Sequence, residues 1–209
     1  MVHPDDLDVP PASTSHGPLN EPLRAELVAM DEHDQAVRAE LAADGSLFEG
    51  YHPRMAAVHD ANAARLREII REHGWPTTAI VGVDGAKAAF RLAQHSINHP
   101  DLMRECRTLI EAESGRDDLL REQFAYIDDR IRAFEGLPQR FGTQWRGGPH
   151  GLEPFPFDDA AAVDRRRRAL GMPPLAEMRR ESSERLSVEQ AERQRAEELA
   201  WRRQVGWVR

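Results

Sequence analysis

Apolar residues recur at steps of three and four along almost the whole chain, a period that leaves room for little except helices. Leu23, Leu27, Met30, Val37 and Leu41 share one stripe at about 100° per residue, as do Met55, Val58, Leu66, Ile69 and Ile70 further on. Ala86, Ala89, Phe90, Ala93 and Ile97 form a third, and Leu120, Phe124, Ile127, Ile131 and Phe134 a fourth. The pattern predicts helices over 21–43, 53–73, 84–98, 101–113, 117–135, 158–170 and 187–204, with a short one near 174–182. Gly74, Gly115, Gly136 and Gly171 follow periodic runs as C-terminal caps do, Asp101 and Ser187 stand where N-caps belong, and "SVEQ" at 187–190 matches a capping box. Only "TTAIVGV" at 77–83 looks strand-like, and one strand makes no sheet.

The expected class is therefore all-α, a single compact multi-helix domain with a long irregular loop and a charged C-terminal helix. Residues 1–20, rich in Pro, Ser and Asp, read as a disordered leader; 21–182 form the helical domain and 183–209 a charged helical extension. The irregular loop lies between residues 136 and 157, where five glycines and four prolines interrupt any helical period. Such loops inside a compact domain are usually functional or disordered, and Phe141, Trp145, Phe155 and Phe157 suggest that this one packs on something.

Charge and composition narrow the function classes. A net charge of 28 minus 36, or -8, argues against nucleic acid, which demands a basic footprint, although "DRRRR" at 164–168 is locally basic. No run of about 18 apolar residues exists and the first residues have no signal-peptide character, so a cytoplasmic protein without a membrane partner is expected. The single cysteine, Cys106, falls on an apolar stripe with Leu102 and Leu109 and reads as core. Twelve arginines against eight acids at 160–209, and three against twelve at 1–64, raise the option of a basic tail folding onto an acidic front.

The informative residues are polar groups on apolar stripes. Asp34 stands in the middle of the first stripe, where an unpaired carboxylate would cost several kcal/mol, and Arg38 one turn on is an available partner. His59 and Asn62 share the second stripe; His59 alone reads as a satisfied core histidine. In the third helix Gln94 lies at the edge of the apolar face and His95 nearly opposite it. His99 precedes Pro100, where the helix should end, so His95 and His99 are not expected to share a metal, and no cofactor is expected. Gln123, Tyr126 and Arg130 form a polar ridge on the fifth helix that could hold an anion or carboxylate.

The blocks "GWPT" (74–77), "QH" (94–95), "DDR" (128–130), "FGTQ" (141–144) and "DRRRRALGMPPL" (164–175), in that order, resemble a bacterial family of small proteins of unknown function. The likeness covers roughly residues 23–178. It carries no activity, and marks Trp75, Gln94, His95, Asp129, Arg130, Gly142, Thr143, Gln144 and either Arg165 or Arg166; the arginines at 167 and 168 look particular to this chain.

Two readings follow. In the first, an enzyme or small-molecule binder gathers His95 as acid or base, Asp129 and Asp34 to orient it, and Arg38, Asn62, Gln94, Arg130, Thr143 and Gln144 around an anionic substrate. Hydrolysis, elimination and cyclisation all suit such a metal-independent site. In the second, the same groups form a structural network in a non-catalytic interaction module, and the C-terminal helix, with Leu199, Trp201, Val205 and Trp207, docks a partner or makes a homodimer.

Overall fold

The computed structural model describes residues 19–48, 50–157, 159–178 and 186–208. Seven helices carry the described chain: α1 Glu21–Ala43, α2 Pro53–His73, α3 Thr78–His95, α4 Pro100–Glu113, α5 Asp118–Glu135, α6 Ala160–Ala169 and α7 Val188–Gln204, with one two-stranded hairpin, β1 Trp145–Gly148 and β2 Gly151–Pro154. The class is all-α, as the apolar period implies. The expected leader lies outside the described residues apart from Leu19 and Asn20. No described helix is long and apolar enough to cross a membrane.

Local chemistry sets the ends. Asn20 caps α1 by accepting the Leu23 amide, Ser187 and Gln190 close the capping box of α7, and Gly136 takes a left-handed φ of 75° after α5. Two sequence expectations are corrected here. Asp101 lies inside the first turn of α4, whose cap position is His99. The strand-like 77–83 is the first part of α3, broken from the rest at Gly82, with φ of 71°. Its β-branched residues have no neighbouring strand to pair with, whereas Val81 in a helical turn is wholly buried; packing decides over propensity.

α3 occupies the centre and packs on α1, α2, α4 and α5. Ala86, Ala88, Ala89 and Ala93 are all buried along it, and their small side chains let the neighbouring backbones close in around one helix. The main core joins Leu27, Leu66, Ile69, Leu92, Met103 and Ile127, and Cys106 is buried within it, where desolvation pushes its thiol pKa up.

The 136–157 loop is ordered by buried polar groups. Gln139, fully buried, donates from Nε2 to the carbonyls of Gln144 and Phe155 and accepts the Gln144 amide on Oε1 at 2.7 Å. Arg167, one of the two arginines that look particular to this chain, is also fully buried and donates to the carbonyls of Phe141 and Pro173, while Arg166 donates to that of Arg140. Gly142 has φ of 67°, and a Cβ there would meet Leu175 Cδ1 at 2.6 Å, so both backbone and space require glycine.

α7 is part of the body. Trp207 is 3 % exposed and donates its indole N–H to the Ile97 carbonyl at 2.8 Å; Trp201 donates to Asn98 Oδ1 at 3.1 Å, and Phe134 packs on both rings. The tryptophans expected as partner anchors are therefore engaged within the chain. Among the described residues the ion pairs of α7 go elsewhere than residues 1–64: Arg195 pairs with Glu153 and Arg202 with Glu198. Trp207→Ala should lower unfolding free energy by about 3–5 kcal/mol in urea denaturation, the range for removing a buried aromatic. An unchanged midpoint would mean that α7 contributes nothing to the fold.

Candidate functional site

A cavity of about 850 Å³ opens between α1, α2, α3 and α5, and the segment before α2 closes one side. Helical spacing lines it. On α3, Lys87, Arg91 and His95 follow at four-residue steps; on α5, Gln123, Tyr126 and Arg130 follow at three and four; on α1, Gln35 and Arg38 sit beside Asp34.

Behind the wall lies Asp34, with no exposed surface. Its carboxylate accepts from His95 Nδ1 at 2.9 Å (Oδ1) and 3.1 Å (Oδ2), and from Gln35 Nε2 at 3.1 Å. His59 Nε2 stands 3.3 Å from Oδ2, near enough for charge attraction but without hydrogen-bond geometry, and no other group bonds it. The other His59 nitrogen, Nδ1, lies 2.7 Å from Tyr51 Oη, and the rings of His59 and His95 are 5.0 Å apart. Burial opposes ionisation of Asp34, but His59 and His95 outweigh it and hold the carboxyl well below the usual range. Burial also pushes the Tyr51 phenol up, so Tyr51 keeps its proton and pairs with His59 Nδ1 as a neutral hydroxyl.

Burial first, then the nearby His59 and Arg130, lower the His95 pKa against the pull of Asp34, which favours neutral imidazole. Nδ1–H is then donated to Asp34, and the Nε2 lone pair, with no protein partner, meets the cavity. A carboxylate behind one nitrogen and an open second nitrogen is the arrangement of an oriented general base.

Arg130 supplies the opposite charge. It donates from Nε to Gln144 Oε1 at 3.1 Å and from Nη1 to the Gln94 carbonyl at 2.9 Å, both neutral acceptors. Burial, with Arg38 nearby, pushes its pKa down to about 10, so it stays charged at neutral pH. Arg38 is exposed at the cavity and makes no hydrogen bond or ion pair to a described residue. The expected Asp34–Arg38 pair is thus corrected: the imidazoles satisfy Asp34, and Arg38 is free to face the cavity.

Other expected site residues are placed differently. Asp129 does not orient His95. Its oxygens accept the amides of Arg140, Phe141 and Thr143 and the Thr143 hydroxyl at 2.6–3.2 Å, so it ties α5 to the loop. Thr143 belongs to that anchor, and Gln144 reaches the cavity only through Arg130. Asn62 is buried off the cavity wall, and His99 turns to Asp60 at 3.0 Å, away from His95. Gln94 lines the cavity as expected. Tyr51 lies outside any periodic run, so the sequence gives no signal for it; His59 lines the cavity rather than only the core, and the four-residue spacing of Lys87, Arg91 and His95 marks the α3 wall.

Asp129→Asn puts an N–H₂ among donors in place of an acceptor and should cost about 2–4 kcal/mol of stability in urea denaturation, as for a buried group left mispaired. A loss below about 0.5 kcal/mol, the scale of ordinary surface substitutions, would contradict the anchor role.

No curated protein and no solved structure matches the chain. A family model does match, over residues 21–200, which takes in most of α7 beyond the expected limit near residue 178. Because the match spans most of the sequence, the chain belongs to DUF6624, a family of unknown function.

Proposed function

We propose that the protein is an enzyme acting on an anionic small molecule held in the inter-helix cavity, with Arg38 and Arg130 on the negative group and His95 Nε2 as the acid or base. The observation that carries this reading is Arg130: a half-buried guanidinium on the cavity wall whose hydrogen bonds among the described residues go only to neutral acceptors. A buried charge without a counter-ion is costly, and a bound carboxylate or phosphate would offset that cost with bidentate hydrogen bonds.

Gln123 adds to it. The side chain is 3 % exposed, neither amide atom has a hydrogen-bond partner, and it lines the same cavity. Its amide can meet a substrate group that both donates and accepts. Tyr126 stands one turn on along α5, between Gln123 and Arg130. With Asp34 holding Nδ1, His95 can take a proton from substrate or water at Nε2 and return it later, a cycle common to hydrolysis, elimination and cyclisation that uses no cofactor.

Inorganic phosphate is the minimal probe of the anion site. At about a hundredfold excess over Kd, linkage gives roughly 2.7 kcal/mol, or a rise in Tm of about 5–10 °C for a domain of this size. Arg130→Met should abolish the rise, while His95→Asn should keep it, since His95 serves chemistry more than anchoring. No rise in the wild type, or an equal rise in Arg130→Met, would refute the anion site.

A further inference from the structure

The group formed by Asp34, His59 and His95 has a second capacity. One ligating atom from each lies within 4.8 Å of the others, and the three come from three helices, α1, α2 and α3. We propose that these side chains form a site for a divalent first-row transition ion such as Zn²⁺, at the inner wall of the cavity. This goes beyond the proton-transfer reading and does not depend on it.

Three observations support the site. The first is distance. Metal–nitrogen and metal–oxygen bonds of about 2.0–2.2 Å put neighbouring ligand atoms roughly 3.0–3.5 Å apart. Asp34 Oδ1 to His95 Nδ1 is 2.9 Å and Asp34 Oδ2 to His59 Nε2 is 3.3 Å, both close to that edge length. All three ligand atoms lie within 4.8 Å of one another.

The second is His59. The residue is 8 % exposed, and its Nε2, aimed at the Asp34 carboxylate, makes no hydrogen bond. A buried ring nitrogen held by its other side and bonded to nothing is unusual in a structure at rest, and it is what a ligand atom looks like without its ion. The third is the support for the ring. Tyr51 Oη holds His59 Nδ1 at 2.7 Å, the outer contact that fixes the orientation of ligating histidines.

A neutral imidazole that binds an ion through one nitrogen keeps its proton on the other: His59 would hold it on Nδ1, donated to Tyr51 Oη, and His95 on Nε2, away from Asp34. Asp34 gives up its hydrogen bond from His95 for the ion. Two imidazoles and one carboxylate favour Zn²⁺, Co²⁺ or Fe²⁺ over Mg²⁺ and Ca²⁺, which prefer all-oxygen shells. Two of the three ligating residues, His59 and His95, also line the cavity that Arg38 and Arg130 face.

The test uses the full chain after chelator treatment, titrated with Zn²⁺ by calorimetry and with Co²⁺ by visible absorption. One ion per chain is expected, with mixed nitrogen and oxygen coordination in the Co²⁺ spectrum, and no competition from millimolar Mg²⁺. His59→Asn and Asp34→Asn should each weaken binding at least tenfold. Tyr51→Phe keeps the ring packing and should weaken it by about tenfold, as loss of an outer contact does. Circular dichroism identifies any variant that is unfolded. No saturable binding by the wild type, competition by Mg²⁺, or full affinity in folded His59→Asn would overturn the site. Phosphate stabilisation of the chelated protein is read separately. If it persists without Zn²⁺ binding, the metal site alone falls; if it is absent while Zn²⁺ binds, the anion site alone falls.

Discussion

The arrangement depends on one buried carboxylate. Asp34 has no exposed surface, and a carboxylate removed from water costs several kcal/mol unless other groups replace the water. Two imidazoles and the Gln35 amide surround it, and each imidazole comes from a different helix. His95 thereby holds α3 to α1 by a hydrogen bond, His59 brings α2 to 3.3 Å from the same carboxylate, and the cavity wall is built from the same turns. Small alanines along α3 allow that approach, because larger side chains would hold α1 and α2 too far away for Asp34 to reach both rings.

α5 divides its labour between neighbours. Asp129 and Arg130 are adjacent in sequence and about 100° apart around the helix. The carboxylate turns to the loop and gathers its amides; the guanidinium turns to the cavity and stays without a counter-ion. Gln144 connects the two systems by accepting from Arg130 and donating to the Tyr126 carbonyl and the Thr143 hydroxyl. The loop is therefore a support that fixes the position of Arg130, rather than a source of groups that line the cavity.

Periodicity made the helices legible, and the same period drew attention to Asp34, His59 and the Gln123–Tyr126–Arg130 ridge as polar groups on inward faces. It could not assign partners. Asp34 was matched to Arg38 because the two lie one turn apart, whereas its real partners lie on other helices, and separation along one chain carries no information about those. His95 was placed opposite the apolar face of α3; opposite the core turned out to mean facing a cavity enclosed by α1 and α5. Asp129 stood out through its motif, yet a carboxylate serving backbone amides and one serving a histidine look alike in sequence. Tyr51 lies in an irregular segment where no periodic rule places a side chain.

Chemistry at this site rests on the protonation pattern that Asp34 imposes on His95. Long-range ¹H–¹⁵N correlation spectra of imidazole-labelled, chelator-treated protein at neutral pH measure it directly. The His95 ring should be neutral with its proton on Nδ1, and Asp34→Asn should shift it toward the mixture of tautomers seen for a free imidazole. A wild-type His95 that carries its proton on Nε2, or that already behaves as a free imidazole, would contradict the account.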